Sequence, residues 1–287
     1  MESRSLGSMN GFRPRKSLGQ HFLLDPGVIR KIIACAGFQP VDSVVEIGPG
    51  KGALTLPMAR LVRRAFAIEK DERLVRLLNR KLLREGITNV ILFQQDVLKW
   101  DFGELHLPPS TRIKVIGNLP YNISTPFLEK LIENRSHVNR AILMFQLEIG
   151  KRLTASPGHK AYGAMSVLVQ YHAHATNLLE VSSGSFYPKP KVDSMVLELD
   201  FERPHPRRAV DEDEFRRVVK GAFSHRRKTL LNSLKRFFPF IDPDTLLRKL
   251  DACGINPGNR AETLTIDDFV CLSSTLRTEL QENPWNF

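Results

Sequence analysis

The sequence predicts an α/β protein: a mostly parallel, doubly wound sheet followed by a small all-helical part. Three observations carry this. Strand-like apolar runs alternate with helical patterns as far as about residue 201. Several runs end in ligand-competent residues, at the carboxyl edge where an open α/β sheet binds its ligands. Beyond a linker with Pro204 and Pro206, every remaining element reads as helix. The expected division is a mobile tail over 1–12, a sheet domain over 13–201 and a helical domain over 207–287.

In chain order, Arg13 to Leu24 is basic, then turns, then becomes apolar. It suits an extended lead-in, or a flap over a ligand with its basic residues facing RNA. Asp25-Pro26 supplies an N-cap and a first helical residue. Val28, Ile29, Ile32 and Ile33 give that helix its apolar face. Ser43 to Gly52 reads as a strand running into a glycine-rich turn with Gly48 and Gly50, followed by a helix from about Ala53 to Val62. Glycine lets backbone approach a ligand closely, and a helix N-terminus suits a carboxylate or phosphate. Pro57 predicts a kink or a late start.

Arg64 to Glu69 is the second strand. Its terminal acid, about 20 residues beyond the glycines, is placed to hold a ribose diol. Asp71 to Glu85 is a patterned helix, and Val90 to Val97 a third strand ending at Asp96, whose carboxylate could accept an amino group from an adenine. A loop with Pro108-Pro109 leads to Ile113, Val115 and Ile116, a buried strand that Gly117 is expected to break. Asn118-Leu119-Pro120-Tyr121 follows. Pro120 holds Leu119 extended and brings no N–H of its own. Asn118 Oδ1 and a carbonyl of Leu119 or Pro120 can each accept a hydrogen from an amine on a flat ring, and Tyr121 can stack on that ring. Two acceptors that bend a delocalised amine toward tetrahedral geometry favour a transition state over a ground state.

A helix opened by Ser124 or Thr125, a strand over Arg140–Leu147, a helix over 163–173 and two strands over 175–181 and 192–201 complete the sheet domain. Between the last two strands, Ser185 to Ser194 is a proline-stiffened loop expected to hold Phe186 opposite Tyr121 as the second wall of a base slot. Helices are expected at about 211–223, 226–237, 244–252 and 266–280. Phe215 to Arg236 carries eight Lys/Arg and no acid, and Arg226-Arg227-Lys228 opens the second helix. Such a run is either a solvated face or a phosphate-contacting one.

The chain has 287 residues and a net charge of +11, which points to an anionic partner, nucleic acid before membrane. Cys35, Cys253 and Cys271 are scattered without metal-ligand spacing and read as reduced thiols. No signal-peptide core and no membrane-length apolar run is present, so the cytoplasm is expected.

Glu46-x-Gly48-x-Gly50, Glu69, Asp96 and Asn118-Leu119-Pro120-Tyr121 together resemble an S-adenosylmethionine-dependent amino-methyltransferase. The chain is most similar to the small-subunit (16S) ribosomal RNA adenine N6,N6-dimethyltransferase family. That resemblance runs from Gly19-Gln-His-Phe-Leu23 through Phe186-x-Pro-x-Pro-Lys-Val-Asp-Ser194 to His225-Arg-Arg-Lys-Thr229 and Arg260-Ala-Glu262. It implies a Rossmann-like class I methyltransferase sheet of seven strands with a small helical RNA-binding domain. It also implies S-adenosylmethionine as cofactor, no metal, and a monomer acting on the small ribosomal subunit.

The implied substrate is a pair of adjacent adenosines near the 3′ end of small-subunit rRNA. His21 and Leu23 would contribute to the cofactor pocket, although many members carry Asn where this chain has His21. Gly48 would lie against the methionine part, Glu69 on the ribose, Asp96 with the Val97 N–H on the adenine, and Asn118 between cofactor and target amine. Tyr121 and Phe186 would sandwich the target base. Three other readings compete: a large-subunit rRNA methyltransferase of the macrolide-resistance type, an RNA-binding assembly factor with little catalysis, and a nicotinamide-dependent oxidoreductase.

Overall fold

The computed structural model describes residues 14–15, 18–108 and 111–282, and for Tyr121 the backbone alone. The tail expected over 1–12 and Pro109 lie outside these residues. In chain order, β1 (Phe22–Leu23) and α1 (Pro26–Ala36) lead into β2 (Ser43–Ile47), α2 (Thr55–Ala59), β3 (Arg64–Glu69), α3 (Glu72–Arg84) and β4 (Val90–Gln94). Then follow β5 (Ile113–Asn118), α4 (Ser124–Glu133), β6 (Val138–Gln146), α5 (Leu147–Leu153), α6 (Ala164–His172), β7 (His174–Val181), β8 (Phe186–Tyr187) and β9 (Ser194–Asp200). The last elements are α7 (Glu212–Phe223), α8 (Leu230–Phe237), α9 (Pro243–Ala252), α10 (Ile266–Thr275) and α11 (Arg277–Glu282).

Seven strands form one sheet in the order β4-β3-β2-β5-β6-β9-β7. The first five are parallel, and β9 runs antiparallel between β6 and β7. Alternation along the central strands sends side chains to two faces. Val44, Ala65, Ile116, Ile142 and Met144 join Ile32 and Ala36 of α1 on one side. Val45, Phe66, Val115, Leu143 and Phe145 join Phe127, Leu128 and Leu131 of α4 on the other. Each large apolar side chain so buried contributes about 1.5–3 kcal/mol. The second core continues through Tyr171 into Phe215, whose rings stack at 4.1 Å, and so into the C-terminal helices.

The local signals acted largely as expected. Asp25 caps α1 by accepting from the Gly27 and Val28 N–H groups, with Pro26 first in the helix. Other expectations are corrected. The helix after the glycine turn does not begin at Ala53: it spans only Thr55–Ala59, with Pro57 in its first turn, too short for the N-terminal anion site that was expected. Gly117 does not break its strand but stays within β5. A Cβ there would lie 2.8 Å from the Ile47 carbonyl oxygen, so only glycine lets β5 lie this close to β2.

α5 was not foreseen: it follows β6 with no Gly or Pro between them to mark its start. Arg226, Arg227 and Lys228 do not open a helix. They form an exposed turn, and α8 begins after Thr229, whose side chain accepts from the Asn232 N–H. The last expected helix is two, α10 and α11. Cys253 and Cys271, expected as thiols, are joined in a disulfide because α10 returns along the end of α9, with their Cα atoms 5.9 Å apart. Cys35 is free and exposed. No helix among the described residues is long and apolar enough to cross a membrane.

Candidate active site

The carboxyl ends of β2, β3, β4 and β5 open onto one cavity of about 190 Å³, which the segment Leu18–Leu23 also lines. His21, Leu23, Gly48, Gly50, Glu69, Asp96, Val97, Asn118, Leu119 and Pro120 all line it.

Glu69, at the end of β3, is 8% exposed. Its Oε2 accepts from the Gly50 N–H at 3.2 Å and its Oε1 from the Asp71 N–H at 2.8 Å. Gly50 makes that approach at φ +58°, with the Phe22 ring 3.2 Å from where a Cβ would stand. Burial raises the Glu69 pKa, and the two N–H groups oppose that rise. Each oxygen keeps a lone pair for a ligand hydroxyl. Asp96 lies just past β4. Its Oδ2 accepts from Lys70 Nζ at 2.8 Å and its Oδ1 from the Leu98 N–H at 3.1 Å, and the Lys70 ammonium holds its pKa down. The site thus offers the two oxygens of one carboxylate for a diol and a second carboxylate for an amino-bearing ring.

Asn118, the last residue of β5, donates from Nδ2 to the His21 carbonyl at 3.0 Å. That bond orients the amide, because its nitrogen must face a carbonyl and its Oδ1 is left as an acceptor. Pro120 leaves the chain at φ −55°, ψ 133°, extended, before the 3-10 turn Tyr121–Ile123 opens α4. His21 has a second contact, with Nδ1 2.7 Å from the Pro188 carbonyl oxygen, so that Nδ1 carries the donating proton. One residue therefore links the Asn118 amide to the Phe186–Ser194 loop. β1 pairs antiparallel with β8, Leu23 opposite Phe186 and Phe22 opposite Tyr187. The lead-in is tied at its other end by Gln20 Nε2, which donates to Asp71 Oδ2 at 3.1 Å. The Arg73 guanidinium beside Asp71 lowers that carboxyl to about 2.

Phe186 is not brought to the cavity. It is 5% exposed and packs with Leu23, Val181 and Val196, because β8 turns it toward the core and its neighbour Tyr187 outward. The expected open wall is thus a core aromatic in this structure. The Tyr121 side chain, the other expected wall, lies outside what is described.

Two residues escaped the sequence reading as functional groups. Glu46 lines the cavity 2% exposed, with Oε2 lacking any hydrogen-bond partner; burial pushes its pKa up to about 8, and the Glu69 carboxylate adds to the rise. An acid inside Val44-Val45-Glu46-Ile47 was the signal. Lys51 also lines the cavity, with Nζ 4.9 Å from the Phe22 ring centre and its pKa lowered by burial. Its only sequence mark is its place between Gly50 and Gly52. No group of three or more His, Cys, Asp or Glu among the described residues could hold a metal.

Comparison with known proteins agrees with this geometry. The family model for ribosomal RNA adenine dimethylase matches residues 11–277. "Ribosomal RNA small subunit methyltransferase A" of Desulforapulum autotrophicum is 45% identical over 91% of this chain and 92% of its own. The protein of that name from Geobacter metallireducens is 46% identical over 93% and 96%. Among solved structures, a dimethyladenosine transferase from Plasmodium falciparum superposes with a TM-score of 0.73, 28% identity and coverage of 91% and 97%. The 23S rRNA methyltransferase ErmE gives 0.68, 25%, 89% and 99%. The fold is that of S-adenosylmethionine-dependent methyltransferases, and with a matched family model over nearly its whole length the chain belongs to the ribosomal RNA adenine dimethylase family.

Proposed function

We propose that this protein transfers methyl groups from S-adenosylmethionine to the N6 amines of two adjacent adenosines near the 3′ end of small-subunit (16S) rRNA. It would convert each to N6,N6-dimethyladenosine during small-subunit biogenesis. The observation that carries the reading is the Asn118 amide, pinned through Nδ2 by the His21 carbonyl so that Oδ1 is left as an acceptor, on the cavity that Leu119 and Pro120 also line.

The cavity fits the cofactor in its chemistry. Glu69 would hold the ribose hydroxyls, Asp96 and the Val97 N–H the adenine, and Gly48 would lie against the methionine part. When bound, S-adenosylmethionine supplies a methyl group on a positively charged sulfur that is already a good leaving group. The residues of this chain do the positioning. Asn118 Oδ1 and a carbonyl of Leu119 or Pro120 accept the two amine hydrogens, directing the N6 lone pair at the methyl carbon. No strong base lies in the motif, so the proton leaves to water after transfer. The target base must leave its stack to reach this corner, at a cost of a few kcal/mol. Tyr121 is the aromatic we assign to offset part of that cost by stacking. The exposed Arg226-Arg227-Lys228 turn is assigned to rRNA phosphates, within a helical part proposed as the RNA-binding domain of a monomeric, cytoplasmic enzyme.

Higher identity to relatives named for the small subunit than to ErmE favours this substrate over the large subunit. Asn118→Ala tests the clamp: it should keep small-subunit binding and lower single-turnover methyl transfer by about a hundredfold or more, the scale of losing one preorganised polar contact to a transition state. Near-normal turnover in that variant would remove the clamp.

A further inference from the structure

Tyr187 is the aromatic that the sequence reading passed over in favour of Phe186. It is 51% exposed, while Phe186 beside it is 5% exposed. Its backbone is nonetheless firmly placed. Its backbone pairs with Phe22 in the β1–β8 ladder. The next residue, Pro188, is held by His21 Nδ1 at 2.7 Å. The far end of the loop is held as well: Asp193 Oδ1 accepts from the Ser183 N–H at 2.8 Å, and the Asp193 carbonyl from the Leu147 N–H at 2.9 Å.

An exposed aromatic on a loop held this way needs no loop ordering to bind. Lys189, Lys191 and Val192 are exposed on the same short loop, while Pro190 between the lysines is buried. The rim therefore joins one flat apolar face to two cations, the combination that takes a base and its flanking phosphates. It is also next to the site. His21 gives its carbonyl to Asn118 and its ring to Pro188, so the rim is one residue's span from the amine clamp. With strands about 4.8 Å apart and about 3.3 Å per residue, Tyr187 is on the order of 10 Å from Asn118.

We propose that Tyr187 stacks on the nucleotide next to the adenosine being methylated, with Lys189 and Lys191 on its phosphates, so that one adenosine of the pair rests on this rim while the other occupies the clamp. This rests on the function proposed above and adds a substrate-positioning residue to it. A substrate of two adjacent adenosines needs such a place, because inserting one base into the clamp strips its neighbour of a stacking partner.

The test is single-turnover methyl transfer to unmethylated small ribosomal subunits by wild type, Tyr187→Ala and Tyr187→Phe, alongside S-adenosylhomocysteine titration of each. Tyr187→Ala should transfer about tenfold more slowly, the fold-change of losing one base–aromatic stack. Tyr187→Phe should restore the rate, because the ring and not the hydroxyl does the stacking. Product affinity should be the same in all three proteins, as it would not be if the substitution disturbed the cofactor site. A wild-type rate in Tyr187→Ala overturns the inference and leaves the proposed function standing. So does a Tyr187→Phe as slow as Tyr187→Ala. A wild-type protein that labels no small subunits overturns both.

Discussion

Replacing Glu46 by Gln should remove one large pH-dependent contribution to the stability of the ligand-free protein across the neutral range. Glu46 is 2% exposed, one of its oxygens has no hydrogen-bond partner, and burial moves its pKa from 4.5 to about 8. The folded state thus holds this proton more tightly than the unfolded chain does. The resulting stabilisation is fully present below 4.5 and is lost as pH rises through about 8. At about 1.4 kcal/mol per pH unit, the whole window is worth on the order of 3–5 kcal/mol. Gln cannot ionise, so its own hydrogen-bonding needs add an offset that does not change with pH. Urea unfolding of wild type and Glu46→Gln at about pH 5, about pH 6.5 and about pH 8 measures the difference directly. The variant should gain on wild type steadily as pH rises, by several kcal/mol over the series. Parallel pH dependences for the two proteins would refute the argument that a buried, unsatisfied carboxyl lines this cavity.

Gly117→Ala should destabilise the fold by about 1–3 kcal/mol, because its Cβ would meet the Ile47 carbonyl at 2.8 Å and force β5 away from β2; an unchanged urea midpoint would contradict that close approach. Reversing charge at Arg226, Arg227 and Lys228 together should weaken small-subunit binding and reduce the slope of log affinity against log salt by about 2. Those side chains are exposed in a turn, so thermal unfolding should barely move. An unaltered salt slope would make the turn a solvated face only.

The parallel sheet and its ligand-bearing edge were legible because each strand is a continuous apolar run and each ends in a residue of opposite character. Glu69, Asp96 and Asn118 could be placed on one edge from strand order alone, and the structure gathers them around one cavity. What could not be read depends on contacts between distant segments. β1 and β8 are two residues each and pair across most of the domain, so neither has a pattern of its own. Yet that pairing decides that Phe186 faces the core and Tyr187 the solvent. The late start of α2, by contrast, was legible from Pro57; that the helix is only Thr55–Ala59 was not. Cys253 and Cys271 meet only because α10 folds back on α9. Glu46 carries a place in the Glu46-x-Gly48-x-Gly50 spacing but its burial does not show there, and Lys51 joins the site only as a lining residue.

The most direct test of the central claim is methyl transfer from labelled S-adenosylmethionine to unmethylated small ribosomal subunits, with large subunits and naked rRNA as controls, followed by nucleoside analysis. The account predicts N6,N6-dimethyladenosine from small subunits alone. Label in large subunits would assign the chemistry to the other rRNA. No label anywhere, with small-subunit binding intact, would contradict catalysis and leave an assembly factor that has kept the fold.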